Sequence, residues 1–485
     1  MSEATEGPKH SCGFFGIYSF SGKPVSIRIY NGLMAIQHRG QDSAGITTLN
    51  EGKLFTKKAP GLVSDVFSEK DLESLAGNMG IGHVRYPTTG YSVEEDAQPF
   101  VLSSPKKGLA LAHNGNIANL GLISKTIKEK GRNPTSSCDA EYILHFMAEE
   151  LIASKGDIWK AVEKTMKSLD GSYSVVMITG EGELIAFRDP LGIKPMCMAI
   201  DKERVIFASE STALDINNMP INRDVLPGEV VVVNKNGIKS KIVAKANKKA
   251  HCMFEYVYFA RPDSIIDRRS VYDARYRLGQ ILAQKAPAKA DLVVPVPDTS
   301  RPAACGYSDQ SGIPLAEGLI KNRYIGRTFI MPDQGKRDLA VKLKLNPLKT
   351  VLFDKNVVLI DDSVVRGTTL RPIVSLLKEA GAKEVHVRIT CPPVISPCFY
   401  GVNIPTYEEL AAHKHTVEEI RKQSGADSLA YMDVDGLLRA IGMPKSFLCL
   451  GCITDHYPTP VGNALAKKIR GSKTCKTIRC WEMVD

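Results

Sequence analysis

The arrangement of apolar and polar positions divides the chain into two halves with different periodicities. In the first half, short apolar or β-branched runs lie beside turn residues and predict strands at 184–187, 204–207 and 229–233. Apolar residues recur at helical spacing over 138–153 and 159–169, which predicts two long helices. Strands interrupted by segregated helices indicate an α+β layered domain.

The second half has longer apolar runs. They predict buried strands at 291–295, 356–360 and 384–389, and the segment 370–380 between two of them predicts a helix. Buried strands that alternate with helices are typical of an α/β domain, in which helices cover both faces of a parallel sheet.

A lysine-rich stretch separates the two halves. Residues 235–249 combine lysines with small residues, which favours a solvated connector over a binding patch. We therefore predict two domains, 12–248 and 249–485. The stretch 467–479 carries six basic residues and is interpreted as a solvated surface segment.

Composition restricts the classes of protein that fit this sequence. The 485 residues are 43% hydrophobic and 24% charged, which excludes disorder, collagen and coiled coil as the main architecture. The net charge of +10 is mild for this length and suits phosphorylated small molecules as well as nucleic acid, so we expect no nucleic-acid partner. No run of about 18 apolar residues occurs, so we expect no transmembrane helix and no membrane partner.

The N-terminus and the cysteines indicate the compartment. Residues 1–11 are polar and lack the apolar core of a secretion signal, so a cytoplasmic location is expected. In a reducing compartment, the eleven cysteines indicate buried thiols, a metal site or a nucleophile before they indicate disulfides.

The strongest local signal is the loop that follows the strand at 356–360. The strand ends in Asp361 and Asp362, and a short loop containing Gly367 leads into the next helix. Glycine lets the backbone approach a phosphate, and the free N–H groups of a helix start attract an anion. Paired acids suit ribose hydroxyls, or a magnesium ion bound alongside a diphosphate. An ordinary turn with a favourable helix cap is the alternative interpretation.

The whole segment 357–370, VVLIDDSVVRGTTL, resembles the loop with which type I phosphoribosyltransferases bind phosphoribosyl pyrophosphate (PRPP). A PRPP site at the carboxyl end of a parallel strand is what this resemblance implies for the second domain.

A second set of residues suggests chemistry on a free amino acid. Cys12 opens the first apolar run. Arg85 lies at the end of a predicted strand, where it can bind a carboxylate with two parallel hydrogen bonds. Asn114 and Gly115 offer a side-chain amide and a backbone N–H to an oxyanion. Asp139 lies at a helix start and can hold an ammonium group. A buried structural role for Cys12 is the alternative.

Together with the loop 38–45, HRGQDSAG, these residues resemble the class II glutamine amidotransferases, whose nucleophile is the first residue of the mature chain. The resemblance implies that the α-amino group of Cys12 is the base, which fits its ordinary pKa of about 8. Residues 1–11 are then expected to be a propeptide, and His38, His83 and His113 to be structural. A flexible terminus that leaves Cys12 internal is the alternative.

From residue 12 to about 461, the chain resembles the family that fuses these two domains in one polypeptide. Longer matches lie at 188–195, 208–210, 259–264 and 324–329. The resemblance implies the first step of de novo purine synthesis, in which glutamine, PRPP and water give 5-phosphoribosylamine, glutamate and diphosphate. It also implies inhibition by purine nucleotides and a homotetramer.

The resemblance assigns roles residue by residue. For glutamine, Cys12 attacks the amide, Arg85 and Asp139 hold the carboxylate and the amine, and Asn114 and Gly115 form the oxyanion hole. For PRPP, the residues are Asp361, Asp362, Ser363, Arg366, Gly367, Thr368 and Thr369. One magnesium ion per subunit is assigned to Thr299, Asp361 and Asp362, and the segment 324–347 to a flexible loop that closes over PRPP.

Four cysteines match positions that bind a 4Fe-4S cluster in one branch of the same family: Cys252, Cys398, Cys449 and Cys452. Four thiolates can hold a cluster or a zinc ion, and the resemblance favours the cluster. Buried thiols without metal are the alternative.

Three other functions share parts of this pattern. Other glutamine amidotransferases, such as asparagine synthetase, share the first half only, and the Asp361–Asp362 loop argues against them. A PRPP-binding regulatory protein without transferase activity would have no use for a glutaminase site. A redox sensor based on the cluster is the third alternative.

Overall fold

The structure is a computed structural model that describes residues 12–86, 94–322, 343–404 and 406–470. The predicted propeptide 1–11, the part of the predicted flexible loop from 324 to 342, and residues 471–479 of the basic segment lie outside these ranges. The predictions made for them therefore stay predictions.

Two antiparallel sheets form the first domain. The seven-stranded sheet has the spatial order β11 (Arg223–Asp224), β9 (Cys197–Ile200), β10 (Arg204–Ala208), β1 (Gly13–Ser19), β4 (Met79–Arg85), β2 (Ser43–Asn50) and β3 (Lys53–Pro60). The six-stranded sheet has the order β13 (Gly237–Ile242), β12 (Glu229–Asn234), β8 (Leu184–Arg188), β7 (Gly171–Thr179), β6 (Leu109–Ile117) and β5 (Phe100–Leu102). The predicted strands of this half are β8, β10 and β12.

The two sheets pack face to face and each is covered by helices, so the domain has four layers. Phe14, Ile81, Val176 and Phe207 belong to the apolar cluster between the sheets. Further clusters join the seven-stranded sheet to the helix Ser26–Ala35, and the six-stranded sheet to the helices Leu120–Glu129, Asp139–Ala153 and Ile158–Ser168. The shorter helices are Val63–Val66, Glu69–Ser74 and Thr212–Asp215. The predicted α+β layers and both long helices are confirmed.

The prediction that residues 235–249 form a solvated connector is wrong for six of these residues. Gly237–Ile242 is the edge strand β13, which pairs with β12 in antiparallel register. Its side chains are largely exposed, and Lys239 and Lys241 lie on it. Charged residues are common on edge strands because they discourage pairing with another chain, which explains why the segment looks like a loop in the sequence.

A four-stranded parallel sheet forms the centre of the second domain. Its order is β17 (Leu292–Pro295), β20 (Asn356–Asp361), β21 (Glu384–Ile389) and β22 (Ser428–Tyr431). The first three are the predicted strands. The fourth was missed because its four residues are only half-buried and form too short an apolar run.

Three two-stranded pairs complete the strands of this domain. They are β14 (His251–Cys252) with β23 (Leu448–Cys449), β15 (Ile265–Ile266) with β16 (Arg269–Ser270), and β18 (Leu319–Lys321) with β19 (Leu345–Pro347). The strand β19 occupies the last positions of the predicted flexible loop.

The helices around the parallel sheet follow the expected pattern. The helix Leu370–Glu379 buries Leu370, Ile373, Val374 and Leu377, the spacing of one apolar face. The other helices are Val271–Lys285, Arg301–Ser311, Lys349–Leu352, Ala411–Lys414, Val417–Ser424, Val434–Ile441, Gly451–Thr454 and Pro460–Arg470. None of the helices in the described ranges is both long and apolar enough to cross a bilayer.

Candidate active sites

Cys12 immediately precedes β1 and is buried. Its thiol donates to the carbonyl oxygen of Tyr86 at 3.5 Å, and its own carbonyl oxygen accepts a hydrogen bond from Nε of Arg39 at 3.1 Å. Burial raises the pKa of the Cys12 thiol, although the charges of Arg85 and Arg39 oppose this. The thiol is therefore protonated at neutral pH, and an attack by its sulfur needs a base.

Opposite charges surround this thiol. Arg85 ends β4, and Asp139 begins the helix Asp139–Ala153; both charges, with that of Arg39, act on the pKa of Cys12. Asp139 accepts the backbone N–H of Ile117 at 3.0 Å, which fixes its carboxylate. A buried cation and a buried anion beside one thiol are suited to the carboxylate and the ammonium group of a free amino acid.

The structure adds Asp96, which the sequence did not single out. Its carboxylate lies 3.1 Å from Nη2 of Arg85, and both side chains are buried. Burial raises the pKa of Asp96. The residue lies in a run of three acids, Glu94 to Asp96, but nothing in that run indicates a partner eleven positions away.

Asn114 and Gly115 are neighbours on β6. Gly115 has a φ of +149°, and a Cβ built there would lie 2.0 Å from the carbonyl oxygen of Ser172 on β7. Only glycine therefore fits this position, so the backbone of the candidate oxyanion hole is fixed by the sheet.

The histidines near this site have structural contacts. His83 makes a hydrogen bond through Nε2 to the carbonyl oxygen of His113 at 3.0 Å, and burial lowers the pKa of His83 to about 3. Burial also lowers the pKa of His113. His38 contacts Glu210 at 2.8 Å. Neutral, buried imidazoles at 83 and 113 agree with the interpretation that neither is the base.

In the second domain, the acid pair lies at the carboxyl end of β20. The hydroxyl of Ser363 donates to Asp362 at 2.7 Å, and the backbone N–H of Asp362 donates to Asp361 at 2.9 Å. Burial raises the pKa of Asp361 to about 6, and burial together with the charge of Asp361 raises the pKa of Asp362. Asp362 is buried and Asp361 is half-buried, and the ionised form of each is disfavoured. Such a pair is chemically suited to a divalent cation, which would reverse that preference.

The hydroxyl that the structure brings to this pair belongs to Ser300. Its Oγ lies 3.5 Å from Oδ1 of Asp361, and the side chain is buried. Thr299, the residue assigned from the resemblance, is its half-buried neighbour in the same turn. Two adjacent hydroxyl residues cannot be ranked from sequence, because the direction of each side chain depends on the turn.

The loop 366–369, which follows the acid pair, has polar groups that adjoin a cavity. Gly367 has a φ of +75°, and the Oγ1 atom of Thr368 is buried without a hydrogen-bond partner among the described residues. Arg366 donates to Glu409 at 2.6 Å. A cavity of about 520 Å³ adjoins Arg366, Gly367 and Thr368, with Arg371 and Lys414 also on its wall. These features suit a phosphate group.

The four predicted cluster cysteines are all buried and lie near one another. Cys252 on β14 and Cys449 on β23 are direct partners in a parallel pair, and the pKa of Cys452 responds to the charges of all three others. Burial raises the pKa of Cys252 to about 11 and raises those of Cys449 and Cys452. Within the described ranges, no three His, Cys, Asp or Glu side chains are placed to hold a single metal ion.

The segment around Cys398 contacts the first domain. The carbonyl oxygens of Phe399 and Tyr400 accept hydrogen bonds from Asn116 at 3.1 Å and Ser172 at 2.8 Å. The backbone of the candidate oxyanion hole is therefore packed against the segment that carries one of the four thiols.

Comparisons with known proteins agree with this two-part architecture. Residues 83–216 match a family described as a glutamine amidotransferase domain, and residues 264–393 match a phosphoribosyl transferase domain family. An amidophosphoribosyltransferase of Methanothermobacter thermautotrophicus is 48% identical, over 95% of this chain and 97% of the relative. One of Methanocaldococcus jannaschii is 46% identical, over 93% of this chain and 98% of the relative.

Solved structures of two relatives match this chain over nearly its whole length. A glutamine PRPP amidotransferase of B. subtilis, complexed with ADP and GMP, has a TM-score of 0.86 and 41% identity, and covers 93% of this chain and 98% of its own. A structure described as the allosteric regulatory enzyme of purine biosynthesis has a TM-score of 0.87 and 39% identity, with 98% and 99% covered. The fold class and the pairing of the two domains expected from the sequence are confirmed. The chain belongs to the amidophosphoribosyltransferase family, the enzymes of the first step of purine biosynthesis.

Proposed function

We propose that this protein transfers the amide nitrogen of glutamine to PRPP through two sites in one chain, with the residue roles given below. The observation that carries the proposal is the pairing of a buried thiol, set between Arg85 and Asp139, with an acid pair followed by an open phosphate loop. A single chain with both sites can make ammonia and use it.

In the first site, removal of residues 1–11 exposes the α-amine of Cys12. The amine takes the thiol proton, and the sulfur attacks the amide carbon of glutamine held by Arg85 and Asp139. Asn114 and the N–H of Gly115 bind the oxyanion. Collapse of the adduct breaks the C–N bond, the amine returns the proton to the leaving ammonia, and water then hydrolyses the thioester to glutamate.

In the second site, the loop 366–369 holds the 5-phosphate of PRPP, and Asp361 and Asp362 face the ribose hydroxyls. Ammonia attacks the anomeric carbon, the bond to the diphosphate oxygen breaks, and the ammonium formed loses a proton to give 5-phosphoribosylamine. When bound, magnesium would neutralise the departing diphosphate. Asp361 and Asp362 fit such a cation, with the hydroxyl of Ser300 beside Asp361 and Thr299 in the same turn.

We also propose a 4Fe-4S cluster held by Cys252, Cys398, Cys449 and Cys452. Their common burial and mutual proximity support it, because thiolates in such surroundings need compensating positive charge. When bound, the cluster would cross-link β14, β23 and the segment 395–401. Zinc on the same thiols is the competing assignment.

Further assignments follow from the family. The ADP and GMP bound to the B. subtilis relative support inhibition of this protein by purine nucleotides. We extend the proposal to a homotetramer in the cytoplasm. None of the nine described cysteines forms a disulfide bond, which supports a reducing location.

The test is a comparison of nitrogen donors. Purified protein with a chain starting at Cys12 is incubated with magnesium, PRPP and either ¹⁵N-amide glutamine or ammonium, and labelled phosphoribosylamine is measured by mass spectrometry. Product from both donors is expected. Product from neither donor, with PRPP still bound, would favour the regulatory alternative.

The metal is tested on anaerobically purified protein. Four irons and four sulfides per chain, with broad visible absorption that reduction bleaches, are the expected result. One zinc per chain without sulfide would contradict the cluster and leave the transferase proposal intact.

A further inference from the structure

Four buried charges lie between Cys12 and the second domain. They are Arg39, Lys194, Glu210 and Glu255, and their side chains are between 0% and 2% exposed. The two cations balance the two anions, so the cluster is formally neutral without any other group. Four buried charges are costly to desolvate, and such a cluster persists only when each group is closely paired.

Arg39 is the centre of this cluster. Its Nη1 and Nη2 atoms donate to the two carboxylate oxygens of Glu255 at 3.0 and 2.9 Å, and Nη1 also donates to Glu210. The remaining donor, Nε, reaches the carbonyl oxygen of Cys12 at 3.1 Å. A guanidinium held on three sides in this way has little freedom to move.

A residue at the start of a chain has a peptide bond on one side only. Once residues 1–11 are removed, rotation about the Cα–C bond of Cys12 moves both its amine and its thiol relative to Gly13. The hydrogen bond from Arg39 to the carbonyl oxygen of Cys12 instead fixes the plane of the peptide bond to Gly13, and the amine and the thiol project from that plane. Since the proposed mechanism needs the amine, the thiol and the glutamine amide in one arrangement, this contact bears directly on the rate.

We propose that Arg39 is a positioning residue for the nucleophile, and that Glu255 from the second domain holds Arg39 in place. This inference rests on the glutaminase mechanism proposed above. Arg39 touches the backbone of Cys12 and needs no contact with substrate. Its role is to fix the peptide plane from which the amine and the thiol of Cys12 project.

The second domain supplies more than Glu255. Glu210, the other carboxylate on Arg39, accepts the backbone N–H of Arg261 at 2.9 Å and the hydroxyl of Ser264 at 2.7 Å. Glu210 and Arg39 belong to the first domain, and Arg261, Ser264 and Glu255 to the second. The nucleophile of one domain is therefore held by a cluster that only the complete chain assembles.

The test uses Arg39→Lys in the full-length protein. Lysine keeps the charge but loses the two parallel bonds to Glu255 and the fixed angle to Cys12. We expect the kcat of glutamine hydrolysis to fall by about tenfold to a hundredfold. The KM for glutamine should stay within about twofold, because Arg85 and Asp139 are unchanged. Ammonia-dependent transfer should be retained.

The matched control is Arg188→Lys. Arg188 is as deeply buried and donates two parallel bonds to Asp267 at 2.8 and 2.9 Å, but it has no contact with Cys12. It should lower the melting temperature at least as much as Arg39→Lys while leaving the kcat of glutamine hydrolysis near that of the wild type. Equal loss of kcat in both variants would show a general structural role and overturn the inference.

A second readout does not depend on the proposed reaction. The rate at which iodoacetamide alkylates Cys12 is measured by mass spectrometry as a function of pH, with the N-terminus of each variant checked by sequencing. Arg39→Lys should slow alkylation or move its pH midpoint, and Glu255→Gln should act in the same direction with a smaller effect. Unchanged alkylation in both variants would overturn the inference. Wild-type protein that starts at Cys12 but does not hydrolyse glutamine would instead overturn the proposed function.

Discussion

The two active sites differ in how far their polar groups are paired before a substrate arrives. In the first domain, Arg85 contacts Asp96, Asp139 accepts a backbone N–H, and Arg39 is held on three sides. In the second domain, the carboxyl groups of Asp361 and Asp362 have raised pKa values, and Thr368 has a buried hydroxyl without a partner among the described residues.

This difference reflects the charges of the ligands. Glutamine is a zwitterion, so a balanced set of protein charges can bind it and remain stable without it. PRPP and magnesium bring large charges of both signs, and a site that matches them is unbalanced when they are absent. Under the proposed assignments, the protein preorganises the first site, whereas PRPP and magnesium would complete the second. The predictions below test that distinction.

The largest effect is expected at the nucleophile. Cys12→Ala should lower glutamine-dependent product formation by about 10⁴-fold or more, because the thioester cannot form. Ammonia-dependent formation should stay within about twofold of the wild type. A parallel assay of the two nitrogen donors measures both. Loss of both activities would show that the first site is also required for the second reaction.

The second largest effect is expected at the acid pair. Asp362→Asn should lower product formation from both donors by about 10²–10³-fold, since the site loses a charge that the metal and ribose require. Glutamine hydrolysis should persist, and it is measured as glutamate release. The control is Asp354→Asn, an exposed acid that precedes β20 and pairs with Lys383 at 2.9 Å. That variant should leave both activities near wild type.

A smaller effect is expected at the oxyanion hole. Gly115→Ala places a Cβ in contact with Ser172, so β6 must shift, and the kcat of glutamine hydrolysis should fall by about 10²-fold. The control is Gly131→Ala, a position that also has a positive φ but where a Cβ meets no atom within 4 Å. If the two variants had equal kcat values, Gly115 would have no role in the oxyanion hole.

The smallest effect concerns the change of folding stability with pH, which has opposite signs for Asp361 in the second domain and His83 in the first. The pKa of Asp361 is about 6 in the folded protein against an ordinary 3.8. The free energy of unfolding therefore falls as the pH rises from 3.8 to about 6, because the unfolded state ionises first. Without magnesium or PRPP at pH 7, Asp361→Asn should therefore be more stable than the wild type by up to about 3 kcal/mol, and each kcal/mol should raise the melting temperature by about 2–4 °C. The advantage should vanish near about pH 4.

The first domain provides the contrast. The pKa of His83 is about 3 in the folded protein against an ordinary 6.5, so the unfolded state binds the proton and stability is lost as the pH falls below about 6.5. Melting curves of the wild type and Asp361→Asn across this range separate the two contributions. A constant difference between the curves would contradict the raised pKa of Asp361.

The sequence predicted features that depend on local pattern. Buried runs such as 356–360 predicted strands that the structure confirms, because such runs are properties of neighbouring residues. The loop containing Gly367 is also a local pattern, and the phosphate site assigned to it stays a prediction. The edge strand β13 was missed because its exposed lysines resemble those of a loop. Family resemblance, rather than spacing, brought Cys12 and Asp139 together.

Contacts between distant residues could not be predicted in this way. Arg39 and Glu255 are 216 positions apart, and nothing near either residue marks the other as its partner. The choice between Thr299 and Ser300 depends on the direction of a turn, and Asp96 was hidden among neighbouring acids. Such pairings are decided by packing, after the local elements have formed.

The contacts between Asn116 and Phe399, and between Ser172 and Tyr400, have a consequence for synthesis on the ribosome. The first pair is separated by 283 positions and the second by 228. A nascent chain that has emerged as far as residue 250 contains the side chains proposed above to bind and attack glutamine, but not the carbonyl groups that accept hydrogen bonds from Asn116 and Ser172. Phe399 and Tyr400 are therefore translated after the proposed PRPP loop. Cys12 reaches its final surroundings only in a chain that already contains the loop 366–369.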